Sequence, residues 1–135
     1  MKKTVLITVI LAAVAILLTC CAQSQSEPST PATSYTQITQ EEAKEMMKKD
    51  DGHIIVDVRR QDEYDSGHIP GAVLIPNESI ETEPPKELPD FDQIILIYCR
   101  SGRRSKEASQ KLADMGYTNI YEFGGILTWE GEIEK

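Results

Sequence analysis

Residues 94–98, Ile-Ile-Leu-Ile-Tyr, are apolar on consecutive positions rather than on alternate ones. A strand with one wet face alternates, whereas one that is apolar throughout needs cover on both faces, as in a parallel sheet between helices. His53–Val58 and Ala72–Pro76 are further short β-branched runs, the second closed by Pro76, and Asn119–Phe123 is another strand. Helical patterns lie between them. Thr39-Gln40-Glu41-Glu42 has the form of a capping box and opens a helix to about Lys49, with Ala43, Met46 and Met47 inward. Ser105–Met115 reads as a second helix, with Ala108, Leu112 and Met115 on one face, a Glu107–Lys111 pair on another and Gly116 at its end. Gly124-Gly125 are expected to turn into a last amphipathic helix carrying Ile126, Trp129 and Ile133 inward. The Pro- and Glu-rich stretch 81–89 reads as an irregular surface connection. The predicted fold is one α/β domain over 36–135, with a mostly parallel central sheet and helices on both faces.

The first residues are a separate object. Lys2 and Lys3 precede an apolar run, Val5–Leu18, broken only by Thr8 and too short for a typical membrane span. It suits the apolar region of a secretory signal peptide. Leu18-Thr19-Cys20-Cys21 resembles a bacterial lipoprotein signal, which implies cleavage after residue 20 and lipid on Cys21, with Cys20 as the alternative carrier. An uncleaved anchor, or ordinary cleavage near Ala22 with release as a soluble secreted or periplasmic protein, are the other readings. Residues 21–35, rich in Ser, Thr, Pro and Gln, form a flexible tether. The expected location is extracytoplasmic and membrane-anchored.

The chain is acidic, with formal net charge -8 from 14 basic and 22 acidic side chains. That balance argues against a general nucleic-acid binder, which shows a basic face or stripe. Three cysteines leave Cys99 alone in the expected domain, since Cys20 and Cys21 belong to the export segment. An unpaired cysteine in an exported domain signals a reactive thiol. With His53 and His68 the only histidines, no Cys/His ligand set for a metal is in view, and no cofactor is expected.

Cys99 ends the apolar run and is followed by Arg100-Ser101-Gly102-Arg103-Arg104-Ser105. In an open α/β sheet, ligands sit beyond the carboxyl ends of the strands, where the next helix begins. Gly102 can adopt backbone angles closed to other residues, so the loop amides can converge into an anion nest backed by the helix N-terminus. Amide dipoles and guanidinium charges both favour a thiolate over a thiol, and the thiolate is the nucleophile. Cations are disfavoured at a helix N-terminus, so Arg103 and Arg104 there ask for an anionic partner.

Three stretches resemble the rhodanese (sulfurtransferase) family: Asp57-Val58-Arg59 with Glu63-Tyr64-Asp65-Ser66-Gly67-His68-Ile69-Pro70-Gly71-Ala72; Tyr98 to Ser105; and Gly116 to Tyr121 with Gly124-Gly125-Ile126-Leu127-Thr128-Trp129. The resemblance implies sulfur transfer through a Cys99 persulfide. The donor would be thiosulfate or another small anionic sulfane donor, and the acceptor a thiol or cyanide. It further implies that loop residues Arg100, Ser101, Gly102, Arg103, Arg104 and Ser105 bind substrate and persulfide, Arg104 foremost. Asp57 and Arg59 are read as a structural corner and His68 as a turn-stabilising group rather than a base. Two other functions stay open. One is a non-catalytic rhodanese-like protein-binding module. The other is a phosphatase or arsenate reductase using the same cysteine, disfavoured because Arg104 stands at Cys-x4-Arg where that class needs Cys-x5-Arg.

Overall fold

The computed structural model describes residues 34–135. The expected signal, both candidate lipid-bearing cysteines and most of the tether therefore lie outside the described residues. Among the described residues no helix is long and apolar enough to cross a membrane.

The strands are β1 (Thr36–Gln37), β2 (Ile54–Asp57), β3 (Val73–Leu74), β4 (Ile94–Cys99) and β5 (Asn119–Gly125). They form one sheet in the order β1-β5-β4-β2-β3, with every pair parallel. The helices are α1 (Gln40–Met47), α2 (Gln61–Asp65) and α3 (Arg103–Met115). The expected α/β architecture is what the chain adopts. β4 lies in the middle, and its consecutive apolar residues serve two cores. Ile95, Ile97 and Cys99 point into the cluster with Ala108, Leu112 and Ala113 of α3, while Leu96 and Tyr98 join Ala43 of α1 and Phe123.

The capping box on α1 is formed: Glu42 N donates to Thr39 Oγ1 at 3.1 Å, and Thr39 N to Glu42 Oε2 at 2.8 Å. Residues 81–89 are irregular as expected, yet Leu88 is fully buried and its carbonyl accepts the Tyr117 hydroxyl at 2.6 Å. That bond pins the connection to the body of the domain.

Two expectations are corrected. α3 begins at Arg103, so Arg103 and Arg104 occupy its first turn instead of the preceding loop. The last amphipathic helix does not form. β5 runs through Gly125, a single 3-10 turn covers Ile126–Thr128, and the chain then extends to an antiparallel bridge between Glu134 and His68. Gly131 explains part of this, because a Cβ there would stand 2.6 Å from the Trp129 ring, and the indole N–H donates to Glu132 O at 3.2 Å. The tail folds over its own tryptophan, leaving Ile133 half exposed. α2 was not foreseen, since five residues carry no apolar period.

Candidate active site

Cys99 is the last residue of β4, 1% exposed, beyond a register shift that pairs it with Gly125. An irregularity of this kind re-aims the side chain at a strand end. Gly102 then takes φ +106° and turns the chain into α3. This brings the Gly102 N–H to the sulfur at 3.0 Å. The thiol in turn donates to the Ser105 hydroxyl at 3.4 Å. The amides of Arg103, Arg104 and Ser105 open the helix and have no carbonyl four residues back within it to serve. The first turn also contains no acidic side chain. Around Cys99 the structure places one direct amide contact and a helix start of positive character.

The three arginines part company. Arg104 is mostly buried and makes a two-pronged pair with Glu63 of α2, at 2.7 and 2.8 Å. Arg103 is exposed and rests at 3.5 Å from Glu107. Arg100 is exposed, and its carbonyl accepts the Leu127 N–H at 3.2 Å. Ser101 is exposed beside it. Arg100 and Arg103 are therefore solvent-facing, while Arg104 ties α3 to α2.

The Arg104 guanidinium holds the Glu63 carboxyl far below the usual carboxylate range, at about 2. The group is depressed in the folded protein, so its stabilisation is complete above its ordinary value of 4.5 and disappears as pH falls from there toward 2. We expect Glu63→Gln to lower stability by about 2 kcal/mol at pH 7 and by almost nothing at pH 2. Urea unfolding at the two pH values checks this; an equal loss at both would mean the pair is not the cause.

Asp57, Arg59 and His68 bond to other groups, the hydrogen-bond partners of the sulfur being Gly102 and Ser105. Asp57 is fully buried, and Arg59 grips it through Nε at 3.0 Å and Nη2 at 2.7 Å, while Nη2 also donates to Gly67 O at 2.8 Å. Burial and the Asp57 charge push the Tyr98 hydroxyl upward, so it stays protonated and donates to Asp57 at 2.7 Å. His68 stacks on Tyr64 with centroids 3.7 Å apart, and Nδ1 bonds Tyr64 O at 3.0 Å. A carbonyl only accepts, so Nδ1 carries a hydrogen, while Nε2 faces Glu134 Oε1 at 3.3 Å. Among the described residues no cluster of ligating side chains could hold a metal ion.

Sequence reasoning passed over Glu122 and Gln40. Glu122 is 3% exposed, and its Oε1 accepts the Ser105 hydroxyl at 2.6 Å and the Gly124 N–H at 2.9 Å. Strand alternation carried the signal, because Glu122 stands two residues from buried Ile120 and so shares its α3-facing side. Gln40 donates to Gly125 O at 2.9 Å, joining α1 to the floor of the loop.

Residues 39–132 match the Rhodanese-like domain family. The chain belongs to that family. A putative sulfur carrier protein of Bacillus subtilis, YrkF, is 36% identical over 104 residues, 76% of this chain and 55% of its own. This rhodanese-like chain thus spans about half of that relative. The thiosulfate sulfurtransferase GlpE of Coxiella burnetii is 35% identical over 97 residues, covering 71% of this chain and 88% of GlpE. Among solved structures, a rhodanese with anions from Escherichia coli shares 30% identity at a TM-score of 0.57, with 62% of this chain and 98% of that chain covered.

Proposed function

We propose that this rhodanese-like chain moves a sulfane sulfur from thiosulfate or a persulfide donor to a thiophilic acceptor through a persulfide on Cys99. The observation that carries the reading is the Gly102 N–H aimed at the Cys99 sulfur from a loop that ends in the N-terminus of α3. An amide at 3.0 Å supports negative charge on sulfur without needing a proton of its own to be lost. GlpE, by its name a thiosulfate sulfurtransferase, adds support for the donor.

In the first half-reaction the Cys99 thiolate attacks the outer sulfur of thiosulfate. A new S–S bond forms, the donor's S–S bond breaks, and sulfite leaves with the bonding pair. The outer sulfur of the persulfide keeps the negative charge, within reach of the first-turn amides. In the second half-reaction an acceptor such as cyanide attacks that outer sulfur, thiocyanate leaves, and the thiolate returns. Splitting one transfer into two through a covalent intermediate lowers both barriers. The exposed Arg100 and Arg103 would draw the dianion to the loop against the net acidity of the chain.

Full-length chain incubated with thiosulfate should gain one sulfur atom on the Cys99 peptide by mass spectrometry, and lose it as thiocyanate on adding cyanide. Folded protein whose Cys99 stays unmodified by thiosulfate and by small persulfides would sink the reading. A retained cysteine with its amide partner speaks against a binding module alone, and the short distance from Cys99 to Arg104 in sequence leaves a loop one residue below the phosphatase length.

A further inference from the structure

Behind the nucleophile lies a second buried acid that the sulfur-transfer scheme does not use. Glu122 comes from β5, the strand beside β4, and meets Ser105 of α3 directly under the catalytic loop. Three groups stand in series: Cys99 Sγ, then Ser105 Oγ at 3.4 Å, then Glu122 Oε1 at 2.6 Å. Ser105 is fully buried.

A serine hydroxyl carries one proton and accepts at its lone pairs. Three acceptors surround that proton: Glu122 Oε1 at 2.6 Å, Gly102 O at 3.0 Å and Gly124 O at 3.3 Å. The shortest and charged acceptor wins it. Ser105 then presents lone pairs to the sulfur, an arrangement that suits a thiol donating its S–H and leaves a thiolate facing another electron pair. For the thiolate to gain a donor from Ser105, the direction of the whole chain must reverse.

We propose that Glu122 is a positioning residue that takes up the Cys99 proton through Ser105. The thiol proton passes to Ser105 Oγ as the serine proton passes to Glu122 Oε1. The result is a thiolate, an intact serine hydroxyl free to point at it, and a neutral Glu122 that donates to Ser105. Atoms and charge balance, since one negative charge moves from carboxylate to sulfur. Among the described residues no basic side chain pairs with Glu122, so the shift relocates a buried charge. At the sulfur that charge meets the Gly102 amide and the α3 N-terminus.

The charged groups around this chain of bonds are Arg104 on α3 and Glu63 on α2, which pair with each other, and the exposed Arg100 and Arg103 of the loop and helix start, the latter beside Glu107. α1 contributes the uncharged Gln40 amide, and the β4 and β5 neighbours on the same face, Ile97 and Ile120, are apolar. A proton shared inside such a site gives a thiolate fraction that does not change with pH while the pair holds one proton.

The inference rests on Cys99 being the reacting thiol, as proposed above, but its test needs no sulfur donor. Alkylation of Cys99 by iodoacetamide, followed by peptide mass spectrometry on full-length chain from pH 5 to 9, reads thiolate directly. Wild type should show a plateau below pH 8. Glu122→Gln keeps an acceptor for Ser105 but cannot store the proton. It should react about ten-fold slower at pH 6 and speed up about ten-fold per pH unit toward wild type. Ser105→Ala should show the same loss, and serves alone if Glu122→Gln does not fold. Profiles of variant and wild type that run parallel at a constant ratio would overturn the relay and leave Glu122 a purely structural anchor of the loop. A plateau that is lost on substitution, in a protein that takes no sulfur from thiosulfate or from small persulfides, would uphold the relay and reject the sulfur-transfer reading alone.

Discussion

Gly125→Ala should cost about 3 kcal/mol of stability and at least a hundred-fold in sulfur transfer. Its backbone is extended, at φ -139°, so the obstacle is space and not conformation. A Cβ there would stand 2.2 Å from Arg100 O, 2.5 Å from Arg100 C and 2.6 Å from Ser101 Cα. All three are backbone atoms of the catalytic loop, so no side chain can swing away. Relief requires the loop to lift off β5, and that moves the Gly102 amide away from Cys99. Gly102→Ala is the informative contrast. Its φ of +106° makes alanine strained, yet the nearest atom to the added methyl is Gly124 Cα at 3.7 Å. Its cost is the left-handed backbone alone, about 1–2 kcal/mol. Chemical denaturation and the cyanide assay on both variants distinguish the cases; a Gly125→Ala protein with wild-type turnover would mean the loop does not need this contact.

Asp57→Ala should lower stability by about 3–5 kcal/mol, with sulfur transfer per folded molecule little changed. The carboxylate balances the buried Arg59 guanidinium, accepts the Arg59 N–H at 2.9 Å and accepts the Tyr98 hydroxyl. Its removal leaves a buried cation whose remaining hydrogen bond in the corner is to Gly67 O. Breaking one partner of such a pair costs more than replacing both. The double variant Asp57→Ala/Arg59→Met should therefore recover part of the loss. Urea unfolding of the single and double variants measures this, and a double variant less stable than Asp57→Ala would show that Arg59 contributes by packing and not by charge.

Much of the fold was legible because the apolar runs are unambiguous. Ile94–Tyr98 needed cover on both faces and received α3 on one and α1 on the other. The Thr39 capping box marked the start of α1 to the residue. The tail was misread because Ile126, Trp129 and Ile133 have a helical period, yet Gly131 under the indole and the bridge to His68 hold an extended path. Periodicity records which residues could share a face, while competing long-range contacts decide whether they do.

The site divides along the same line. Cys99 at a strand end and Gly102 at the turn after it are properties of neighbouring residues, and sequence alone determined them, whereas the start of α3 at Arg103 came from the structure. Sequence also determined that the cysteine has no partner for a disulfide within residues 34–135. What Arg104 and Ser105 do was decided by the tertiary structure. Arg104 meets a carboxylate 41 residues away on α2, and Ser105 meets one 17 residues away on β5. Charge is visible in a sequence, but whether it faces a substrate or an internal counter-charge depends on which distant chain segment arrives beside it. In this chain parallel strand order brings Glu122 beneath the sulfur, and the α2 turn brings Glu63 to the arginine.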